Sequence, residues 1–192
     1  GPYDQAVVPS PAISGARSFR ISNAVTSGSF SDQTFSKSLA NEAGEGESTN
    51  GGMSGGTRQD HFEAQFDFAS TQLVHQPGLF VSVSPDRGDG SRMSYLGFED
   101  TLDGIDVSFY DVQGTSSPAN FVSTTVANNL SRSAVHTAKF FIDYENGPSN
   151  DVVKIYIDGV LVHTGTTWEN YYRFDSEASR EQTPRTTDNL LF

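Results

Sequence analysis

From Val152 to Gly165 the chain reads VVKIYIDGVLVHTG, with apolar and mixed positions alternating on both sides of Asp158-Gly159. A period of two is a strand period, and Asp-Gly supplies the two positive-φ positions of a type I′ turn. The pattern predicts a hairpin with Ile157 opposite Val160, Ile155 opposite Val162 and Val153 opposite Thr164 on one face. Val152, Lys154, Tyr156, Leu161 and His163 fall on the other. One apolar and one mixed face suit an antiparallel sheet that covers a core on one side.

The same alternation recurs upstream. In His61–Phe68 (HFEAQFDF), Phe62, Ala64, Phe66 and Phe68 share one face and His61, Glu63, Gln65 and Asp67 the other. Further strands are expected at Ser18–Asn23, Gly78–Ser84, Arg92–Phe98, Ile105–Asp111, His136–Tyr144 and Thr187–Phe192. In His136–Tyr144, Ala138, Phe140 and Ile142 alternate with Lys139, Phe141 and Asp143. Turn signals separate these runs at 85–90, at Asp103-Gly104 and at Asn146-Gly147-Pro148. Asn41–Gly56 lacks apolar periodicity and reads as a long loop. Ala119–Ser133 is expected to hold at most a single helical turn. About ten short strands without an amphipathic helix predict an all-β antiparallel β-sandwich of the jelly-roll type. Residues 1–16 read as a flexible lead-in or tag remnant, and residues 17–192 as a single domain.

Charge narrows the partners. Twenty-four acidic against 12 basic residues give a net charge of −12, and no basic patch or stripe interrupts it. Nucleic acid and polyanionic surfaces are therefore disfavoured, whereas neutral glycans, cationic surfaces and divalent cations remain open. No run approaches the ~18 apolar residues of a membrane helix. Cysteine is absent, which rules out disulfides, thiolate metal sites and cysteine nucleophiles.

The run His136-Thr137-Ala138-Lys139-Phe140, followed by Val152–Val162 with its Asp158-Gly159 turn, resembles the signature of concanavalin A-like lectin/glucanase domains, including laminin-G-like and pentraxin-like modules. SFRISN near one end and TDNLLF at the other resemble the terminal strands that pair in that fold. The stretches PDRGDGSR (85–92), Asn150-Asp151 and TWENYYR (167–173) are also similar to a group of bacterial secreted or cell-surface proteins. The resemblance implies a concanavalin A-like sandwich over residues 17–192 and an extracellular setting.

Laminarinase-type members of that fold carry three carboxylates, E-x-D-x-x-E, on one strand. Here the row is Glu63-x-Gln65-x-Asp67, with an amide in the middle and no third carboxylate. Glu63 and Asp67 would stand about 13 Å apart along a strand. Retaining glycosidases need about 5–5.5 Å and inverting ones about 6.5–9.5 Å. A hydrolase built on Glu63 and Asp67 therefore needs a partner from another strand. A lyase using His61 as base, with Gln65 on the same face and Arg58 nearby, is disfavoured because a negative protein is a poor host for a polyuronate. The histidines His61, His75, His136 and His163 show no zinc spacing, and no nucleophile elbow is present.

Asp86 and Asp89, set among glycines in PDRGDG, offer oxygen ligands for calcium, as rim loops do in the resembled modules. Trp168, Glu169, Asn170, Tyr171, Tyr172 and Arg173 combine aromatic faces with planar polar groups, the combination that sugars require. The expected function is non-catalytic recognition of a neutral glycan by these residues with Gln65, in a secreted or cell-surface protein. The alternatives are a structural or adhesion spacer without a small ligand, and a polysaccharide hydrolase or lyase.

Overall fold

The computed structural model describes residues 5–22, 34–36, 53–54, 57–58, 60–88, 90–178 and 187–192. Two antiparallel sheets enclose one core, so the architecture is all-β and sandwich-like. Strands β1 (Gln5–Val8) and β2 (Ser18–Ile21) pair with each other, as do the short β3 (Met53–Ser54) and β4 (Thr57–Arg58). The first main sheet uses β5 (His61–Phe68), the second β6 (Phe80–Asp86), β7 (Tyr95–Asp100), β8 (Ile105–Gln113) and β9 (Asn120–Leu130). The chain then returns to the first sheet with β10 (His136–Asp143), β11 (Val152–Ile157) and β12 (Val160–Gly165). It turns through helix α1 (Glu169–Phe174) and ends in β13 (Asn189–Leu191). The strand orders are β12-β11-β10-β5 and β13-β6-β7-β8-β9.

Alternation explains the core. Phe62 from β5, Ala138, Phe140 and Ile142 from β10, and Val153, Ile155 and Ile157 from β11 point inward. They meet Val83, Leu96, Phe98, Ile105, Val107 and Phe109 from the second sheet. The Asp158-Gly159 turn has positive φ at both residues (51° and 77°), as a type I′ hairpin demands.

The hairpin differs from the expected pairing beyond its first two rungs. Ile157 faces Val160, but Ile155 faces His163, and Val153 faces Gly165. A bulge between Ile155 and Tyr156 in the pairing leaves Val162 as the extra residue, and the register slips by one. His163 thereby turns towards the core side, its ring 5.0 Å from that of Phe109. Gly165 lies so close to the opposite sheet that a Cβ there would stand 2.7 Å from the Phe109 ring.

Four other expectations need correction. Ala119–Ser133 forms the 11-residue strand β9 rather than a helical turn. Its Ser, Thr and Asn content hides the alternation, and its pairing with β8 is interrupted by register shifts at Val107. The Thr167–Arg173 stretch is largely the helix α1, in a chain for which no amphipathic helix was expected. Residues 5–8, read as lead-in, hydrogen-bond to β2. The terminal strands do not pair as in the resembled fold: β13 adds to β6 and β2 to β1, although the Phe19 and Phe192 rings meet at 5.5 Å. Of the Asn41–Gly56 loop, only Met53–Ser54 falls within the described residues.

Phe140 is fully buried between the sheets. Phe140→Ala should lower unfolding free energy by about 3–5 kcal/mol, read from the shift in a chemical denaturation midpoint.

Candidate functional site

The outer face of the four-stranded sheet carries the side chains that alternate with the core. Register across β11, β10 and β5 lines them up in rows: Tyr156, Lys139 and Gln65, then Lys154, Phe141 and Glu63, then Val152, Asp143 and His61. Thr137 faces Asp67 in the row beside the hairpin turn. A shallow depression of about 280 Å³ is lined by Gln65, Thr137, Lys139, Tyr156 and Gly159. That is close to the lower end of the volumes known for ligand pockets.

The polar groups around this depression hold one another in place. Lys139 Nζ lies 2.7 Å from Glu63 Oε2. Its hydrogen bond is the main reason the Glu63 carboxyl sits below its ordinary value, with lesser help from the Lys139 and His61 charges. Thr137 Oγ1 donates to Asp67 Oδ1 at 2.9 Å. His61 Nδ1 lies 2.7 Å from Asp143 Oδ1, and its ring packs edge-on against Phe141 at 4.6 Å. The Lys154 ammonium stands 4.7 Å over the Phe141 ring.

Asp158 fastens the turn that closes one side of the depression. Its Oδ1 accepts the Thr137 N–H at 2.8 Å, and its Oδ2 meets His136 Nδ1 at 2.8 Å. The Nε2 of His136 faces the Ser131 carbonyl at 3.1 Å. Burial alone would raise the Asp158 carboxyl. The His136 hydrogen bond, the Thr137 N–H and the His136 charge outweigh that and hold it below the usual carboxylate range.

The four polar residues of β5 therefore come together as expected: His61, Glu63, Gln65 and Asp67 are all exposed on one face. Glu63, ionised and tied to Lys139, is unsuited to protonating a leaving group, which requires a raised pKa. Its strand neighbour Asp67 is too distant for either glycosidase geometry.

The residues of the α1 segment are placed differently. Glu169, Asn170, Tyr172 and Arg173 are buried. Arg173 pairs with Glu169 at 2.8 Å, and Tyr172 donates to the Arg92 carbonyl. Asn170 donates to the Gly114 carbonyl and to Ser149 Oγ, and accepts from the Ser149 N–H. Trp168 and Tyr171 are only partly buried. Trp168 donates its indole N–H to the Tyr110 carbonyl at 2.9 Å and stacks edge-on with Phe121 at 4.9 Å. Its polar groups committed to the fold, α1 ties the ends of β7, β8 and β9 together and leaves mainly ring surface outside.

The 85–90 turn is likewise internally bonded. Asp86 is fully buried, and its Oδ1 accepts the N–H groups of Gly88 and Gly90 at 2.8 and 3.0 Å. That is the side-chain-to-backbone capping an Asx residue provides in a tight turn. Asp89 lies outside the described residues. In the neighbouring acidic turn Asp100 pairs with Arg132 at 2.6 Å. Among the described residues no cluster of three His, Asp or Glu is arranged to hold a metal ion.

Sequence reasoning singled out Gln65 but not Thr137, Lys139, Tyr156 or Gly159. Their alternation was visible, whereas the juxtaposition of β5 with β10, more than 60 residues apart in sequence, follows only from the topology. No family model, curated protein or solved structure matches the chain.

The depressed Asp158 carboxyl makes a signed prediction. A group whose pKa is lower folded than unfolded contributes stability above its unfolded value, about pH 4, and loses it as pH falls. The stability difference between the wild type and Asp158→Asn, followed by urea denaturation, should therefore narrow as pH is lowered from neutrality to about pH 2.

Proposed function

We propose that this chain is a non-catalytic glycan-binding module with a concanavalin A-like jelly-roll sandwich, carried by a secreted or cell-surface bacterial protein. The binding surface is the outer face of the four-stranded sheet. The observation that carries this reading is the row Tyr156–Lys139–Gln65 lining the depression beside Thr137. A phenol ring beside an amide, an ammonium and a hydroxyl offers a surface for sugar C–H groups and directional bonds for hydroxyls. The Lys139–Glu63 ion pair and the Thr137–Asp67 hydrogen bond hold the ammonium and the hydroxyl in place before a ligand arrives, which lowers the ordering cost of binding.

The ligand is a neutral glycan. The chain's charge of −12 repels polyanions, and Lys139 at the depression is already neutralised by Glu63. Calcium has no part in this reading, because the groups named bind hydroxyls directly.

Titration calorimetry against a panel of neutral polysaccharides, with calcium and with EDTA, tests the proposal. Binding should survive EDTA. Tyr156→Ala and Gln65→Ala should each weaken it by roughly tenfold or more, the equivalent of 1.4 kcal/mol. Trp168→Phe should bind as the wild type does. Silence across the panel, or unchanged binding by Tyr156→Ala, would overturn the assignment.

A further inference from the structure

The two main sheets have four outer edges, and the described residues protect three of them. Strand β5 places Glu63, Asp67 and His61 along its edge. Strand β13 is covered by residues 34–36: Ser36 N–H donates to the Leu190 carbonyl at 2.8 Å, and Phe192 N–H to the Thr34 carbonyl at 2.9 Å. Strand β12 is interrupted by its bulge. Charge, cover and bulges are the devices that stop an open edge from pairing with another chain.

Strand β9 is the fourth edge, and among the described residues none of these devices is found along its first half. It reads NFVSTTVANNL, without a charged residue or proline. Its register shifts on β8 lie beyond Thr125, so Asn120–Thr125 runs regularly against Gln113–Ser108. Inward-facing Val122 and Thr124 are only partly buried, whereas their partners Asp111 and Phe109 on β8 are buried. Among the described residues no backbone hydrogen bond reaches the outer side of β9. Beside it lies β12, whose Val160 and Leu161 are 62 % and 49 % exposed.

We propose that β9 is the self-association surface of this protein, pairing antiparallel with β9 of a second copy across a two-fold axis. Charge selects this occupant. Two copies carrying −12 each repel one another as wholes, so they meet most readily where no charge is opposed. The side formed by β9 and β12 holds a single titratable residue, His163, which faces inward against Phe109. Antiparallel self-pairing across this side sets Ser, Thr and Val against Ser, Thr and Val, with no like charges opposed. An axis perpendicular to the sheet joins the two five-stranded sheets into one and leaves both four-stranded sheets open on the same side. The pairing stands independently of the glycan reading.

Sedimentation of the whole chain, at low and at high salt, tests it. The wild type should sediment at twice the chain mass, more completely at high salt, where screening weakens the repulsion. Ser123→Lys with Thr125→Lys should sediment as a monomer with an unchanged circular dichroism spectrum, since the two-fold brings like lysines together. Amide exchange in β9 of the wild type should slow as concentration rises, a reading that needs no variant. A wild type that stays monomeric at high salt, a lysine variant that still dimerises, or β9 exchange independent of concentration would each overturn the proposal. The first outcome would leave the edge to an extended segment of another protein.

Discussion

Everything on the outer face depends on the burial of the inner one. Strand β10 lies between β5 and β11, and its period of two sends Ala138, Phe140 and Ile142 into the core. The same period sends Thr137, Lys139, Phe141 and Asp143 outward. A slip of one residue would drive Lys139 and Asp143 into the apolar layer, at a desolvation cost of several kcal/mol per charge. The hydrophobic layer thus sets the register, and the register aligns Tyr156, Lys139 and Gln65. The outer face needs no separate ordering, because its rows are the reverse side of a packed core.

Asp158 connects this register to the hairpin. A type I′ turn fixes where β11 ends and β12 begins, but not how the turn sits against β10. The contacts of Asp158 with the Thr137 N–H and with His136 supply that second constraint. They hold Gly159 at the side of the depression. The spacing of His136, Thr137 and Asp158 in the chain therefore has a physical content: one carboxylate joins a turn to the start of the strand two positions into the sheet. This accounts for the motif as architecture and leaves the ligand to be decided by the neighbouring side chains.

The strands with strict alternation were legible in the sequence. His61–Phe68 and Val152–Ile157 have the predicted faces because each buries one side against a full sheet. Legibility declined where another constraint intervened. The bulge at Val162 reversed the expected facing of His163, since a single extra residue inverts a period-two reading. Strand β9 was hidden because an edge strand buries little, and so selects weakly for apolar residues on its inner face. Trp168–Arg173 has the composition of a sugar site, yet its charges and amides satisfy one another and the backbone at the end of the second sheet. Composition identifies groups that can bond, whereas only the fold determines whether they bond inward or outward. The depression itself was illegible for a different reason: its residues come from β5, β10, β11 and the hairpin turn, and their meeting is a property of strand order.

Charge distribution ties the faces to the edges. Acidic residues in an antiparallel protein serve two purposes at once, since they solvate outward faces and deter pairing at exposed edges. On β5 both fall to the same residues: Glu63 and Asp67 bond to Lys139 and Thr137 and place charge on an edge strand. On β9 neither is present, although the chain as a whole has a twofold excess of acidic residues. An even scatter of the chain's 36 charged residues would be expected to place about two on 11 residues. Among the described residues, their absence coincides with the edge that neither cover nor a bulge protects over its regular half. Neutrality and openness at the same place are what a pairing edge requires, because a charge there would oppose its own copy across the axis.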